Sequence, residues 1–280
     1  MSDAKRVEMS SSDPSHLSPG LTESQVRPLG RIRWWIHLIL IGGYFIPPMF
    51  AQMRTHPMLT HTTHGLLIVC AFQMGLFGLL FGLGWWCSGA SREQMLLSWR
   101  PGWWVVPLGV GYSVAIRLGI MIIAFAISAI LLATVFDQRE LVEFWRAGEP
   151  NIKQIVSVTA ARSNPVYAWL LITLVSFVVA GLREELWRAG TLAAMRSLWP
   201  RAFGTRRGEV LAIGVLAIAF GAGHLRLGIV AAVVAGVLGI FLGLTMVTHR
   251  SVWPAVIAHG AFDATTFALL AWLPSRFHQF

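Results

Sequence analysis

The chain has 280 residues, 55% hydrophobic and 12% charged. A water-soluble domain carries about 25% charged residues, so the composition excludes a simple soluble globule and implies lipid as a second solvent. The formal net charge of +9 comes from twenty Arg and two Lys. They sit in short loops between apolar runs and form no basic stripe with interleaved aromatics, which argues for membrane topology and against nucleic-acid binding.

Residues 1–30 are rich in Ser, Pro and charge and lack the apolar core of a signal peptide, so they read as a disordered cytoplasmic tail. Residues 31–280 then read as one transmembrane domain. A spanning helix needs about 20 apolar residues. Segments of that kind are Trp34–Met53, Gly65–Trp86, Ala115–Phe136, Pro165–Met195, Val210–His224, Ile229–Val247 and Val252–Leu273. The expected fold class is therefore all-α, a polytopic bundle of about seven spans. Pro47 and Pro48 predict a kink in the first span. The shorter apolar piece Trp103–Tyr112 either extends the third span or lies at the interface. Many Trp lie at the ends of the runs, where amphipathic rings settle.

Lys5, Arg6, Arg27, Arg31 and Arg33 put the N-terminus in the cytoplasm, and the densest basic loop, "RSLWPRAFGTRR", then falls on the same side. Cys70 and Cys87 form neither a disulfide framework nor a CxxC metal site. His37, His56, His61, His64, His249 and His278 fall at segment ends or in loops and read as solvated.

One stretch breaks the apolar pattern. After "PVYAWLLITLVSFVVAG" come Arg183, Glu184, Glu185 and Arg188, followed by apolar residues again. Counting from the cytoplasmic ends at 1.5 Å per residue, Glu184 lies roughly 16 Å deep, His224 about 20 Å and His259 about 12 Å. Three different helices thus bring polar groups into one mid-membrane layer. A charged side chain there costs about 2.5–3.5 kcal/mol, and such groups persist where they pair and do something.

The spacings give each helix one polar stripe. Glu184 and Arg188 are four apart, as are Phe220 and His224 in "FGAGH" and His259 and Asp263 in "HGAFD". Glycines beside these residues let backbones approach closely. Glu185 points about 100° away from Glu184, so one of the two acids reads as structural. Taken singly, each group has a plain structural reading as a salt bridge or a packed histidine. Together they make a water-activating centre: a carboxylate to take a proton from water and imidazoles to orient it or stabilise an oxyanion. Two His and a Glu also match the ligand set of a catalytic zinc site, with Glu184, His224 and His259 as candidates, although no HExxH is present.

These pieces, in this order, resemble the CPBP family of intramembrane proteases, which comprises CAAX prenyl endopeptidases and bacteriocin-processing, Abi-type proteins. The family pattern is EExxxR, FxxxH, then HxxxN or HxxxD. "FGAGH" and "HGAFD" fit it directly. "EELWRAG" departs from it, because Arg188 comes one position early and Ala189 stands where the pattern has its arginine. The resemblance covers roughly residues 165–272. It implies that Glu184 activates water with help from His224, that His259 and Asp263 act at the oxyanion, and that Glu185 and Arg188 complete the site. An ionised Asp263 would repel an oxyanion, so it must be protonated or act by orienting His259 or a metal. Both a divalent metal such as zinc and a metal-free glutamate mechanism are compatible with the family.

Two functional readings follow. One is an intramembrane endopeptidase acting on a CAAX-type or other membrane-associated peptide, with lipid and peptide as partners and no nucleic acid. The other is a non-enzymatic transporter or scaffold that retains the polar centre. The Arg-, Ala- and Gly-rich composition suggests a bacterial plasma membrane.

Overall fold

A computed structural model describes residues 28–45 and 60–272. The expected tail up to Arg27 and the Pro47–Pro48 kink lie outside the described residues. Within them every regular element is helical. In chain order these are α1 (Pro28–Ile41), α2 (Thr63–Ser88), α3 (Val105–Thr134), α4 (Gln138–Ala147), α5 (Val158–Ser163) and α6 (Pro165–Leu170). A π-helical stretch, Leu171–Leu182, follows. Then come α7 (Arg183–Leu198), α8 (Pro200–Phe203), α9 (Arg206–Gly223), α10 (Ile229–His249) and α11 (Trp253–Trp272).

Five of the continuous helical runs are long and apolar enough to cross a membrane: Thr63–Ser88, Gly102–Thr134, Pro165–Leu198, Ile229–His249 and Trp253–Trp272. The chain is an all-α, multi-pass membrane bundle, with five such runs among the described residues where about seven were expected. The other two segments differ for local reasons. α1 is only 14 residues long and gives way to a 3-10 turn over Gly42–Phe45, after which the chain passes outside the described residues. α9 opens on Arg206, Arg207 and Glu209, which lowers its apolar length. Trp103–Tyr112 proves to be the start of the third span. Pro107 falls in the first turn of α3, where backbone N–H groups have no helical acceptor and a proline costs little.

The breaks between helices carry their own signals. Thr62, Ser157, Asn164 and Thr205 each turn a side-chain oxygen onto the first turn of the following helix. Asp137 and Glu140 form a reciprocal capping box on α4. Large side chains such as Phe72 and Phe125 face outward, 67% and 77% exposed. In lipid that exposure carries no penalty, so the polar interior and apolar surface are consistent with one another.

The helices that carry the site pack through glycines. A Cβ on Gly260 of α11 would lie 2.3 Å from the Phe177 ring of the π-helical stretch, and one on Gly181 would lie 2.8 Å from the Val256 carbonyl. A Cβ on Gly221 of α9 would lie 2.7 Å from the Ala232 carbonyl of α10. Close approach at these points seats α11 on the π-helical stretch that leads into α7, and α9 on α10. Within the π-helical stretch, the Ser176 hydroxyl donates to the Leu171 carbonyl at 2.8 Å, supplying a carbonyl partner where the turn is widened.

Candidate active site

α7 begins with the charges. Glu184 and Glu185 open α7, which runs on without a break from the π-helical stretch, so side chains rather than a free helix end must offset their charge. Both are buried, Glu185 completely. Each acid has its own arginine. Arg183 Nη2 donates to Glu184 Oε1 at 2.8 Å, and Arg183 Nη1 donates to Gln73 Oε1 of α2 at 2.7 Å. Arg188 pairs with Glu185 Oε2 three residues back. The expectation that Arg188 braces Glu184 is thus corrected. At i,i+3 the arginine still shares a helix face with an acid, but that acid is the second one. The one-residue displacement of Arg188 from the family pattern therefore keeps an intact ion pair.

His259 of α11 links the acids. Its Nδ1 lies 2.9 Å from Glu185 Oε1, a hydrogen bond buried on both sides. Its Nε2 lies 3.7 Å from Glu184 Oε2 and 3.8 Å from Asp263 Oδ2. Those two separations exceed a direct hydrogen bond and suit groups that share a bridging molecule. Glu185 therefore holds the ring by one nitrogen, while the other nitrogen faces two carboxylates across a short gap.

His224 follows the last residue of α9, and its Nδ1 lies 2.8 Å from the Phe220 carbonyl. It makes no hydrogen bond or ion pair with a carboxylate among the described residues. Phe220 is the spacer between the histidines: its ring centroid is 4.6 Å from that of His224 and 6.0 Å, edge-on, from that of His259. Arg188 lies over the same ring at 4.8 Å. That contact matters because Arg188 Nε and Nη2 are buried with no hydrogen-bond partner among the described residues, so the ring face offsets part of the charge. Asp263 is within electrostatic reach of His259, Glu184, His224 and Arg117. Five of the six residues singled out from the sequence, Glu184, Glu185, Arg188, His259 and Asp263, thus meet through polar contacts, and His224 joins them through the Phe220 ring.

Several participants carried no motif. Arg183 and Gln73 hold Glu184, and Phe45 stacks near Trp187 and Phe220 beside the Arg183 guanidinium. Arg117 of α3 reaches α11 beside Asp263. Only their being polar at an apolar depth could have marked Arg117 and Gln73 in advance. His37, read as solvated, is completely buried. Its Nδ1 lies 3.1 Å from the Gly84 carbonyl and 2.9 Å from Ser88 Oγ, and its Nε2 lies 3.0 Å from the Gly190 carbonyl. It ties α1 and α2 to the helix that carries the acids.

The zinc set considered from the sequence does not fit this geometry. Among the described residues no three His, Cys, Asp or Glu side chains are spaced to hold a metal ion.

A multi-pass helical bundle that buries two carboxylates against one imidazole, with a second, half-buried imidazole nearby, is compatible with an intramembrane hydrolase. Residues 166–265 match the family described as Type II CAAX prenyl endopeptidase, Rce1-like. The match spans about a third of the chain, and this similarity supports a CPBP-family intramembrane protease with intramembrane endopeptidase activity. No curated protein and no solved structure matches the chain.

Proposed function

We propose that the chain hydrolyses a peptide bond of a membrane-associated substrate of the CAAX type, using water activated by Glu184. The observation that carries this reading is the His259 ring, anchored on Glu185 at 2.9 Å and turned toward Glu184 at 3.7 Å. Glu184 takes a proton from water as the water oxygen bonds to the scissile carbonyl carbon. The carbonyl π pair moves onto oxygen, and the protonated Nε2 of His259 donates a hydrogen bond to that oxyanion. Collapse re-forms the carbonyl and breaks the C–N bond, and the proton held by Glu184 passes to the leaving nitrogen. His224 assists by orienting the water. Asp263 acts on His259 rather than on the oxyanion, which its own charge would repel. Glu185 and Arg188 hold the ring in place. The protein works in a plasma membrane with its N-terminus in the cytoplasm.

The test is cleavage of an internally quenched, farnesylated CAAX peptide by the detergent-purified protein. Glu184→Gln should lower kcat by about 10²- to 10⁴-fold, the usual contribution of a general base, while leaving the unfolding temperature close to wild type. Turnover that survives this substitution would remove Glu184 from the chemistry.

A further inference from the structure

Arg117 stands near the middle of α3, outside the matched segment 166–265, at a depth where a lone guanidinium is costly. Its Nη2 donates to the Phe262 carbonyl at 2.6 Å, to Thr265 Oγ1 at 2.7 Å and to Thr266 Oγ1 at 3.0 Å. Its guanidinium also lies over the Phe262 ring, 4.3 Å from the centroid. Every one of these contacts is to a residue flanking Asp263 on α11. Its Nη1 and Nε make no hydrogen bond among the described residues.

Charge bookkeeping at the site shows why this placement matters. Three carboxylates, Glu184, Glu185 and Asp263, surround one imidazole. Two have an arginine at ion-pair distance, Arg183 and Arg188. Asp263 has none so close, and the arginine within electrostatic reach of it is Arg117. Three acids at one low-dielectric point repel one another unless each is offset. A neutral Asn at position 263 would need no such partner.

We propose that Arg117 is a positioning residue of the hydrolytic site, clamping the α11 turn that carries Asp263 and supplying the counter-charge that an aspartate requires there. This rests on the reading of Asp263 as part of that site. A lysine keeps the charge but lacks the planar guanidinium that lies over the Phe262 ring and reaches this turn of α11, so the two parts of the role separate by substitution.

The experiment is a double-mutant cycle on the full chain in detergent: wild type, Arg117→Gln, Asp263→Asn and the double variant, with Arg117→Lys alongside. Two readouts are taken, kcat and KM on the farnesylated CAAX peptide and unfolding followed by tryptophan fluorescence. Arg117→Gln should lower kcat about tenfold in the Asp263 background and change it less than about twofold in the Asp263→Asn background, a coupling within the range for residues of one network. KM should stay within about twofold. Arg117→Lys should recover most of kcat. The loss of unfolding temperature on Arg117→Gln should likewise shrink when residue 263 is Asn, and folding only in that background would count as the same rescue. Equal losses in both backgrounds would make Arg117 a simple helix staple and overturn the proposal. A rise in KM with kcat unchanged would overturn it too, making the arginine a substrate contact. Should the wild type leave the peptide uncut, the hydrolytic reading fails, while the unfolding cycle still decides whether Arg117 and Asp263 are coupled.

Discussion

Glu184 and Glu185 are neighbours in sequence and opposites in role. Glu185 is fully buried and held from both sides, by Arg188 and by His259 Nδ1. Glu184 pairs with Arg183 and keeps one oxygen toward the gap at His259 Nε2. Removing Glu185 strands a buried cation, because Arg188 has no other hydrogen-bond partner among the described residues. Glu185→Ala should therefore destabilise the fold by about 3–5 kcal/mol, seen as a large fall in denaturant midpoint, where Glu184→Gln leaves that midpoint nearly unmoved. Equal midpoints for the two variants would contradict this division. The donor geometry also predicts the effect of metal removal. With no set of three ligands spaced for an ion among the described residues, cleavage should be unchanged after dialysis against a strong chelator. Loss of turnover that zinc restores would overturn the metal-free sequence of steps.

At the scale of the element, the site depends on where helices touch. Gly260 follows His259 directly, and its missing side chain is the space occupied by the Phe177 ring. Gly260→Ala should cost about 1–3 kcal/mol, as overpacking of a dense contact does, and should lower turnover by moving His259 away from Glu185. Gly214 of α9 has nothing within 4 Å of its would-be Cβ. There the same substitution should be neutral or stabilising by up to about 1 kcal/mol. Thermal unfolding of the two variants side by side checks the contrast. The π-helical stretch has a further consequence. Each of its turns takes an extra residue, so the face that α7 presents is rotated from what an α-helix running from Pro165 would give. A helical wheel drawn through the whole span places Glu184 and Glu185 wrongly relative to Pro165.

At the scale of the molecule, the segments outside the matched domain brace the helices that carry the acids and His259. α1 reaches it through His37, whose ring sits between the Gly84 carbonyl of α2 and the Gly190 carbonyl of α7. Ile41 packs on Gly190, where a Cβ would lie 2.9 Å from its side chain. α2 reaches it through Gln73, and α3 reaches α11 through Arg117. His37→Ala should cost about 1–3 kcal/mol, the penalty for leaving buried polar groups without a partner, measurable by chemical unfolding in detergent. An unchanged midpoint would mean that α1 is only loosely attached.

Much of this was legible in the residues alone. Long uncharged runs can be satisfied only by helices in lipid, so the all-α membrane class followed from composition and pattern. Counting put Glu184, His224 and His259 at similar depths; Glu184 and His259 lie side by side, while His224 approaches through Phe220. Other features needed the third dimension. A four-residue spacing says which groups share a helix face, not which partner each one takes, and so Arg188 was assigned to Glu184 when the packed helix gives it to Glu185. His37 sits on an apolar segment near a chain end, and only the neighbouring α2 and α7 bury it. Arg117 lies 145 residues from the Phe262 carbonyl it grips. No local pattern encodes such a contact, because it comes into being only when α3 and α11 lie side by side.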